Sequence, residues 1–414
     1  MNRNDNIGNI KRMLEELSRF NSTPEFGITR VLFTPVELQG REFVKNEMRK
    51  LELDIEEDSI GNIYGIYKGS EPELPQVWTG SHEDTVPNAG MFDGTVGVLG
   101  GLEAVRIMKE AGFRPKRSIV VVLYTSEEPT RFGIGCLGSR ALSGRLSLEE
   151  TKLYTDVDGN SLYAVLKSLG YDTSTFDQIE ARGKNIYASV ELHIEQSKIL
   201  DREKVPIGIV KTICGHSNFE IEITGCQSHA GATSMEDRRD AFCAASEITL
   251  ELEKLAGTST SEYTTVTVGK VQVVPNASNV IPGKVNFSVD IRDCDFDSKQ
   301  QLIGAMRNMI SSVARKRNVS AVIADGNNDY PVSCDKKLIG IIEESCRKRK
   351  LEYRKVISGA FHDSMMMGLI APVAMIFVPS RNGISHSPDE WTDFEDIANG
   401  VFVLADTLME LSME

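Results

Sequence analysis

The sequence has little histidine and no closely paired cysteine. Six histidines occur among 414 residues, and the seven cysteines are scattered, odd in number and never arranged as CxxC. This spacing argues against a disulfide framework and against a cysteine-ligated zinc site. We therefore predict reduced cysteines that serve as packing residues.

Long apolar runs and excess positive charge are also absent from the sequence. No segment approaches the about 20 apolar residues that span a bilayer, and the stretch from Met1 to Lys11 is polar and mixed in charge. The formal net charge of -14 repels phosphate backbones and anionic lipid heads. We therefore expect no nucleic-acid partner, no membrane partner and a cytoplasmic location.

The first part of the chain has the pattern of an α/β fold. Apolar residues make up 41% of the sequence, and its length suggests two or three domains. Strand-like runs over 76–80 and 118–124 flank a helical pattern over 96–111. Residues 119–123 show no polar alternation, which is typical of a central strand covered on both faces.

The pattern changes at about Thr212. Apolar and polar residues alternate strictly over 219–223, which leaves one face of a sheet in water, so we expect a small α+β sheet with helices on one side. Further strands are predicted over 264–274, 285–291 and 321–323, and helices over about 237–255 and 298–316.

The first pattern returns at about Tyr330, with a predicted strand over 372–378 and a final helix over about 394–411. We therefore predict a discontinuous catalytic domain, a mixed sheet between helices, formed by residues 1–211 and 328–414. Residues 212–327 are expected to form an inserted α+β sandwich that serves as a lid and dimerisation domain.

Most of the few histidines lie beside acidic residues where predicted strands give way to loops. Imidazole and carboxylate are the ligands that borderline divalent metals take. The adjacent pair Glu127 and Glu128 follows a buried strand, where two carboxylates repel each other unless a positive charge compensates. One of them could bind a metal while the other moves a proton. The sequence thus favours metal-dependent hydrolysis.

Five motifs in this order resemble the M20 metallopeptidase superfamily over nearly the whole chain. Within it they are similar to the carbamoylase branch, which comprises N-carbamoyl-L-amino-acid hydrolases, allantoate amidohydrolases and ureidoglycolate amidohydrolases. His193 and Gln196 carry the branch assignment, because many peptidases of the superfamily have an acidic ligand at the position of His193. The motifs are Gly80-Ser-His-Glu-Asp-Thr-Val, Met91-Phe-Asp-Gly-Thr-Val-Gly-Val, Thr125-Ser-Glu-Glu-Pro-Thr-Arg-Phe, Glu191-Leu-His-Ile-Glu-Gln and Val378-Pro-Ser-Arg-Asn-Gly-Ile-Ser-His.

The resemblance implies a centre with two divalent metal ions. One ion would be held by His82, Asp93 and His193, and the second by Asp93, Glu128 and His386. Glu127 would be the general base, and Asp84 would orient the imidazole of His82. These ligands suit Zn or Mn, with Co and Ni as further options.

The resemblance also assigns roles to residues that contact the substrate. His229 is similar to the lid histidine that polarises the scissile carbonyl and stabilises its oxyanion. Gln196, Asn279 and Arg292 would contact the substrate, the last two at its carboxylate. Arg292 could instead merely pair with a neighbouring aspartate.

Two further histidines have no role in this scheme. We interpret His216 as structural and leave His362 open between a structural and a functional role. Proteins of this family are typically homodimers joined through the inserted domain.

These observations predict a binuclear-metal amidohydrolase that cleaves the C–N bond of a small ureido acid, with a metal-bound water as nucleophile and Glu127 as base. The substrate could be an N-carbamoyl-L-amino acid, allantoate or ureidoglycolate, because residues 128–140 most resemble ureidoglycolate enzymes and residues 377–386 the other two groups. The alternatives are a dipeptidase or aminoacylase of the same superfamily, and a catalytically silent ligand-binding relative.

Overall fold

The computed structural model describes residues 3–414 and divides them into two compact units. Unit 1 extends to Lys211 and continues over Ser333–Val356 and His362–Glu414. Unit 2 consists of Thr212–Val332 and Ile357–Phe361. None of the helices in the described range is both long and apolar enough to cross a membrane.

The secondary structure alternates strands and helices along most of the chain. The strands are β1 (Asp54–Glu57), β2 (Ile63–Tyr67), β3 (Gln76–Ser81), β4 (Ile119–Leu123), β5 (Ile186–Ile194), β6 (Ile207–Ile213), β7 (Gly215–Thr224), β8 (Ser228–His229), β9 (Thr264–Thr267), β10 (Val271–Val274), β11 (Val280–Ile281), β12 (Lys284–Asp293), β13 (Ser320–Asn328), β14 (Val332–Ser333), β15 (Tyr353–Ser358) and β16 (Val373–Val378). The α-helices are α1 (Arg3–Leu17), α2 (Pro35–Lys50), α3 (Thr95–Glu110), α4 (Leu137–Leu142), α5 (Leu162–Ser168), α6 (Asp177–Gly183), α7 (Ile199–Glu203), α8 (Ala241–Ala256), α9 (Phe296–Lys316), α10 (Lys336–Arg349), α11 (Asp363–Met367) and α12 (Phe394–Met413). Short 3-10 helices lie at Glu150–Lys152, Thr173–Thr175 and Arg381–Gly383.

Unit 1 contains a nine-stranded mixed sheet in the order β1-β2-β4-β3-β5-β16-β6-β14, with β15 paired to β6. Four neighbouring strands, β4, β3, β5 and β16, run parallel. Every residue of β4 is buried, as predicted for a central strand covered on both faces, and every residue of β16 is buried as well. Because the carboxyl ends of parallel strands meet at one edge, the segments that follow these four strands come together there.

Unit 2 contains a five-stranded antiparallel sheet in the order β10-β12-β7-β13, with β9 paired to β12, and a small sheet of β8 and β11. Along β7, buried Phe219, Ile221 and Ile223 alternate with more exposed polar residues. The buried face packs against α8 and α9. The predicted α+β sheet with helices on one side is therefore confirmed.

Two elements of unit 2 differ from their predicted bounds. Helix α8 begins at Ala241 and not near 237, because the side chain of Asp240 accepts the N–H groups of Phe242 and Cys243 and caps the helix there. The predicted strand over 264–274 is interrupted around Gly269. Its two parts, β9 and β10, pair with different stretches of β12.

Unit 2 also ends later than the predicted boundary at residue 327. The main-chain N–H of Asp329 donates to the carbonyl of His216 at 2.8 Å, which ties the following segment to this unit. The short segment Ile357–Phe361 joins it as well, since Ser358 accepts the N–H of Cys214 at 2.9 Å. These main-chain hydrogen bonds determine the limits of unit 2, and the hydrophobic pattern of the sequence does not reveal them.

All seven cysteines are free. Four of them are buried, in agreement with a packing role. Cys226 and Cys243 are exposed, however, so the interpretation as packing residues is wrong for these two.

Candidate metal centre

The first cluster of possible metal ligands lies at the carboxyl edge of the parallel strands. His82 follows β3, His193 lies near the end of β5, and Asp93 precedes α3. All three are buried, and their ligand atoms lie within 4.8 Å of one another. Asp93 Oδ1 is 3.8 Å from His82 Nε2 and 3.2 Å from His193 Nε2.

The second cluster shares Asp93 with the first. Asp93 Oδ2 lies 3.1 Å from His386 Nε2, which is also 3.2 Å from Glu128 Oε1. Glu128 is buried, whereas about half of the His386 side chain is exposed. The two oxygens of Asp93 thus face different clusters, so this carboxylate is placed to bridge two cations.

The buried imidazoles have the orientation that metal ligands need. His82 Nδ1 lies 3.0 Å from the carbonyl oxygen of Asp84, and His193 Nδ1 lies 2.9 Å from that of Ile194. A carbonyl can only accept, so each Nδ1 carries a proton, and in the neutral ring each Nε2 keeps its lone pair. At His193 that lone pair faces an oxygen of Asp93, an arrangement that calls for a cation between them. Three imidazoles and two carboxylates therefore fit two divalent ions with open positions.

Buried negative charge surrounds the two clusters. Burial raises the pKa of Glu127 well above its ordinary value, and repulsion from Glu128 raises it further. Burial likewise raises the pKa of Asp84. Burial alone would raise the pKa of Asp93 too, but His193 and His386, in their protonated form, donate hydrogen bonds that hold this pKa well below its usual range. This excess of carboxylates is what bound cations would compensate.

Asp84 supports the centre in a different way from the one expected. Its main-chain carbonyl, and not its carboxylate, makes the hydrogen bond to His82, because Oδ1 lies 3.6 Å from Nδ1. The carboxylate instead accepts the main-chain N–H groups of Glu127 at 3.3 Å and Glu128 at 3.1 Å. Asp84 therefore holds the turn that presents the proposed base and one proposed ligand.

Backbone strain marks several residues of the site. Ser126, Gln196 and His386 have φ values of 54°, 56° and 53°, in the left-handed region that residues other than glycine rarely adopt. Gly94 has φ 67°, and a Cβ atom there would overlap the imidazole of His82. The close approach of the α3 amino terminus to His82 therefore requires glycine.

Gln196 contacts a proposed metal ligand. Its Nε2 donates to Asp93 Oδ2 at 3.0 Å and lies 3.3 Å from Ser385 Oγ. Its Oε1 is buried and accepts no hydrogen bond from the described residues. Gln196 is thus tied to Asp93 on one side and offers an acceptor on the other.

Sequence reasoning missed Glu390 and Ser385. The carboxylate of Glu390 accepts the main-chain N–H groups of Phe92 and Asp93 and the hydroxyl of Ser385. Nothing in the sequence distinguishes Glu390 from other acidic residues. Its only signal is a position in the same loop as His386.

A third group of possible ligands shares His193 with the first cluster and consists of Glu191, His193 and His362. Glu191 accepts the hydroxyl groups of Ser81 at 2.7 Å and Ser364 at 2.6 Å, so its oxygens already have protein partners. The ring of His362 packs edge-on against that of His193, with centroids 4.5 Å apart. These contacts favour a structural role for His362.

In unit 2, the structure brings His229 and Asn279 together. Val280, next to Asn279, pairs with His229 across the small sheet of β8 and β11, and the carbonyl of Asn279 accepts the N–H of Ala230. The main-chain N–H groups of Gly231 and Ala232 donate to His229 Nδ1 at 3.0 and 3.1 Å. The neutral ring therefore carries its proton on Nε2, and the side chain is exposed.

Arg292 lies on β12 and pairs with an aspartate, as the alternative interpretation proposed. Nε and Nη2 donate to Asp290 at 3.0 and 3.2 Å, and Nη1 donates to the carbonyl of Gly359 at 2.9 Å. His216 Nε2 lies 2.9 Å from Asp290 Oδ2. Burial would raise the pKa of Asp290, but hydrogen bonds from His216 and Arg292 lower it to about 2. These bonds leave one N–H on each Nη atom.

Comparisons with known proteins give the chain its family. Residues 78–410 match peptidase family M20/M25/M40. The chain is 41% identical over 411 residues to the ureidoglycolate hydrolase of Arabidopsis thaliana, covering 98% of this chain and 86% of that protein. It is 36% identical over 395 residues to the N-carbamoyl-L-amino-acid amidohydrolase of Paenarthrobacter aurescens, covering 95% of each.

A solved structure has the same fold. The crystal structure of AtUAH in complex with glyoxylate is 40% identical in sequence, with a TM-score of 0.88 over 99% of this chain and 98% of that chain. The resemblance of the five motifs is thereby confirmed, and the chain belongs to peptidase family M20/M25/M40.

Proposed function

We propose that this protein is a binuclear-metal amidohydrolase that cleaves the C–N bond of a small ureido acid. The observation that carries the proposal is the pair of three-residue ligand clusters joined through Asp93, with Glu127 beside them. Glu127 Oε2 lies 3.9 Å from His82 Nε2, yet Glu127 belongs to neither cluster. Relatives named as ureidoglycolate and N-carbamoyl-amino-acid hydrolases support the substrate class.

In the proposed reaction Glu127 moves the proton. Two divalent ions, when bound, would polarise both the attacking water and the scissile carbonyl. Glu127 takes a proton from that water as it attacks the carbamoyl carbon, and then delivers the proton to the leaving nitrogen. The carboxylate of Asp84 accepts the main-chain N–H groups of Glu127 and Glu128 and so holds the turn that carries this base. The released carbamate decays to carbon dioxide and ammonia.

Residues of unit 2 are proposed to bind the substrate. The exposed Nε2–H of His229 is suited to donate to the oxyanion, because its tautomer is set by two main-chain N–H groups. The N–H groups that remain on Arg292 would donate to the substrate carboxylate, and Asn279 would assist it. In unit 1, the free Oε1 of Gln196 is an acceptor for a ureido N–H.

The remaining parts of the proposal concern metals, assembly and location. The ions are Zn or Mn, with Co or Ni as alternatives, because imidazole and carboxylate suit all four. We propose a homodimer joined through unit 2, on the strength of the family resemblance. A cytoplasmic location agrees with the seven free cysteines, since reducing compartments keep thiols in this form.

The test is ammonia release by metal-reconstituted protein. The panel is ureidoglycolate, allantoate, N-carbamoyl-L-amino acids and 3-ureidopropionate. A dipeptide and an N-acetyl amino acid release no ammonia, so their hydrolysis is measured in parallel by the α-amino group that it frees. Ureidoglycolate comes first because of the 41% identity to a ureidoglycolate hydrolase. Hydrolysis of only the dipeptide or the acetyl amino acid would establish the peptidase or aminoacylase alternative, and binding without turnover of any substrate would establish the silent relative.

A further inference from the structure

The carboxylate of Glu390 connects two loops that carry proposed metal ligands. Its Oε1 accepts the main-chain N–H groups of Phe92 at 3.0 Å and Asp93 at 3.2 Å. Its Oε2 accepts the hydroxyl of Ser385 at 2.8 Å. Ser385 immediately precedes His386, so one buried side chain joins the Asp93 loop to the His386 loop across 297 positions of sequence.

Both oxygens of Glu390 accept hydrogen bonds from protein donors. The residue is 4% exposed, and it belongs to none of the three groups of possible ligands among the described residues. A role as base or ligand is therefore disfavoured. Its position behind Asp93 instead resembles that of Asp84 behind Glu127 and Glu128, where a carboxylate also accepts two successive main-chain N–H groups.

Ser385 extends this connection to the carboxylate of Asp93. Ser385 Oγ lies 3.3 Å from Asp93 Oδ2, the oxygen that faces His386, and 3.3 Å from Gln196 Nε2. Ser385 donates its one hydroxyl proton to Glu390, so it reaches Asp93 through Gln196, whose Nε2 donates to Ser385 Oγ at 3.3 Å and to Asp93 Oδ2 at 3.0 Å. Glu390 thus fixes the main chain of Asp93 directly and its side chain through Ser385 and Gln196. A bridging ligand must hold both oxygens in place, since each faces a different cluster.

We propose that Glu390 is a positioning residue for the metal centre, which holds Asp93 in its bridging orientation and keeps the His386 loop beside it. The inference rests on the proposed two-metal centre and deepens it. The chemistry that does this is acceptance of hydrogen bonds, and not the negative charge of Glu390.

Aromatic contacts also connect the Asp93 loop to the His386 loop. The hydrogen bonds of Glu390 can therefore be removed without separating the two loops. Trp391 packs edge-on against Phe92 with ring centroids 5.5 Å apart, and it also packs against Phe394. These aromatic contacts remain when residue 390 is changed. We therefore expect variants at Glu390 to fold.

The experiment compares two substitutions of similar length. Glu390→Gln keeps an oxygen for the two main-chain N–H groups, and its amide can donate to Ser385 Oγ. Glu390→Met keeps the length of the side chain and removes its strong acceptors. Asp389→Asn, at an exposed neighbouring residue, is the matched control for loss of charge in this loop. Metal-free protein is titrated with Mn²⁺, with stoichiometry and affinity measured by calorimetry and folding checked by circular dichroism.

Glu390→Met should weaken Mn²⁺ binding by about 10–100-fold, the usual effect of losing a group that orients metal ligands. Glu390→Gln and Asp389→Asn should bind Mn²⁺ nearly as wild type does. Wild-type affinity in Glu390→Met would overturn the proposal. Equal losses in the Gln and Met variants would overturn it too, because charge and not hydrogen bonding would then matter.

Ser385→Ala is the second test, and it decides the matter if Glu390→Met does not fold. It leaves both main-chain bonds intact and removes only the connection to the side chain of Asp93, so Mn²⁺ affinity should fall while folding is unchanged. Unchanged affinity would contradict the proposed connection. None of these measurements uses a substrate. A wild-type protein that binds two ions but hydrolyses no ureido acid would therefore refute the proposed function and leave the role of Glu390 standing.

Discussion

Asp93 is the residue on which the candidate centre depends most. Each of its oxygens faces a different imidazole, at 3.2 Å for His193 and 3.1 Å for His386. Its pKa is held well below the ordinary value in spite of burial, so it stays ionised at the centre of the cluster. Its main chain and its side chain are both fixed by hydrogen bonds. At this scale, the candidate site is centred on a carboxylate that is placed to bridge two cations, and Glu390 and Gln196 hold it in position.

The first prediction at the residue scale concerns the proposed base. Glu127→Gln should reduce turnover by at least about 100-fold, since general acid–base catalysis contributes about 10²–10⁴. Metal content, measured by elemental analysis, should stay near wild type because Glu127 belongs to neither ligand cluster. His193→Ala is the contrasting variant and should lose metal as well as activity. Near-normal turnover in Glu127→Gln would remove Glu127 from the mechanism.

The second prediction concerns Arg292. Arg292→Ala should weaken binding of the acid substrate much more than Arg292→Lys, because Lys keeps the positive charge, although its ammonium has fewer N–H groups with which to pair with Asp290 as well. An amide analogue without the carboxylate should bind poorly to wild type and lose little further in the variant. Comparison of both ligands with both proteins isolates this interaction. Equal losses for acid and amide would show that Arg292 is structural.

At the scale of elements, four parallel strands and one helix bring the ligands together. The strands end at Ser81, Leu123, Ile194 and Val378, and the proposed ligands lie at or beyond these ends. Helix α3 supplies the remaining ligand, Asp93, just before its amino terminus. That terminus approaches His82 so closely that only glycine fits at position 94.

The close contact between Gly94 and His82 leads to a prediction about the amino terminus of helix α3. Gly94→Ala should lower metal affinity and stability, because φ 67° and the overlap with His82 both oppose a side chain. Gly340→Ala is the matched control. It lies inside α10 with open space around it, so alanine there should stabilise the protein by up to about 1 kcal/mol. Thermal unfolding and Mn²⁺ titration of both variants test this, and a Gly94→Ala protein that matches wild type in both would refute the packing argument.

The sequence predicts strands and helices well where the hydrophobic pattern determines them. Residues 119–123 form a fully buried strand, and the alternation over 219–223 marks a sheet with one open face. The motifs also place the proposed ligands at strand ends. The sequence does not predict the start of α8 at Ala241, because the side chain of Asp240 caps the helix there and the apolar period does not determine its start.

The supporting residues of the site could not be predicted in the same way. Glu390 acts through main-chain N–H groups of a loop 297 positions away, and no local pattern encodes that contact. The role of Asp84 toward Glu127 and Glu128 has the same origin, since it depends on the neighbouring placement of β3 and β4. The sequence does not show which main-chain N–H groups a carboxylate will bind, because the fold decides which of these groups lie beside it.

At the scale of the whole molecule, the proposed reaction needs both units, since the metal ligands and Glu127 lie in unit 1 and His229 lies in unit 2. We propose, from the family resemblance, that His229 serves the partner subunit of the proposed homodimer. Two inactive variants, Glu127→Gln and His229→Ala, should then complement each other when their subunits exchange. Each mixed dimer would have one site with an intact base and an intact histidine, and one site that lacks both.

Mixing the two variants in equal amounts makes half of the dimers mixed, so about a quarter of wild-type activity should return. Subunit exchange is verified by differently tagged chains that purify together, and each variant mixed with itself is the control. If His229 served its own chain, every site in the mixture would lack either the base or the histidine, and no activity would return. Verified exchange without recovered turnover would therefore contradict the shared site, and it would leave the hydrolase assignment to the ammonia assay.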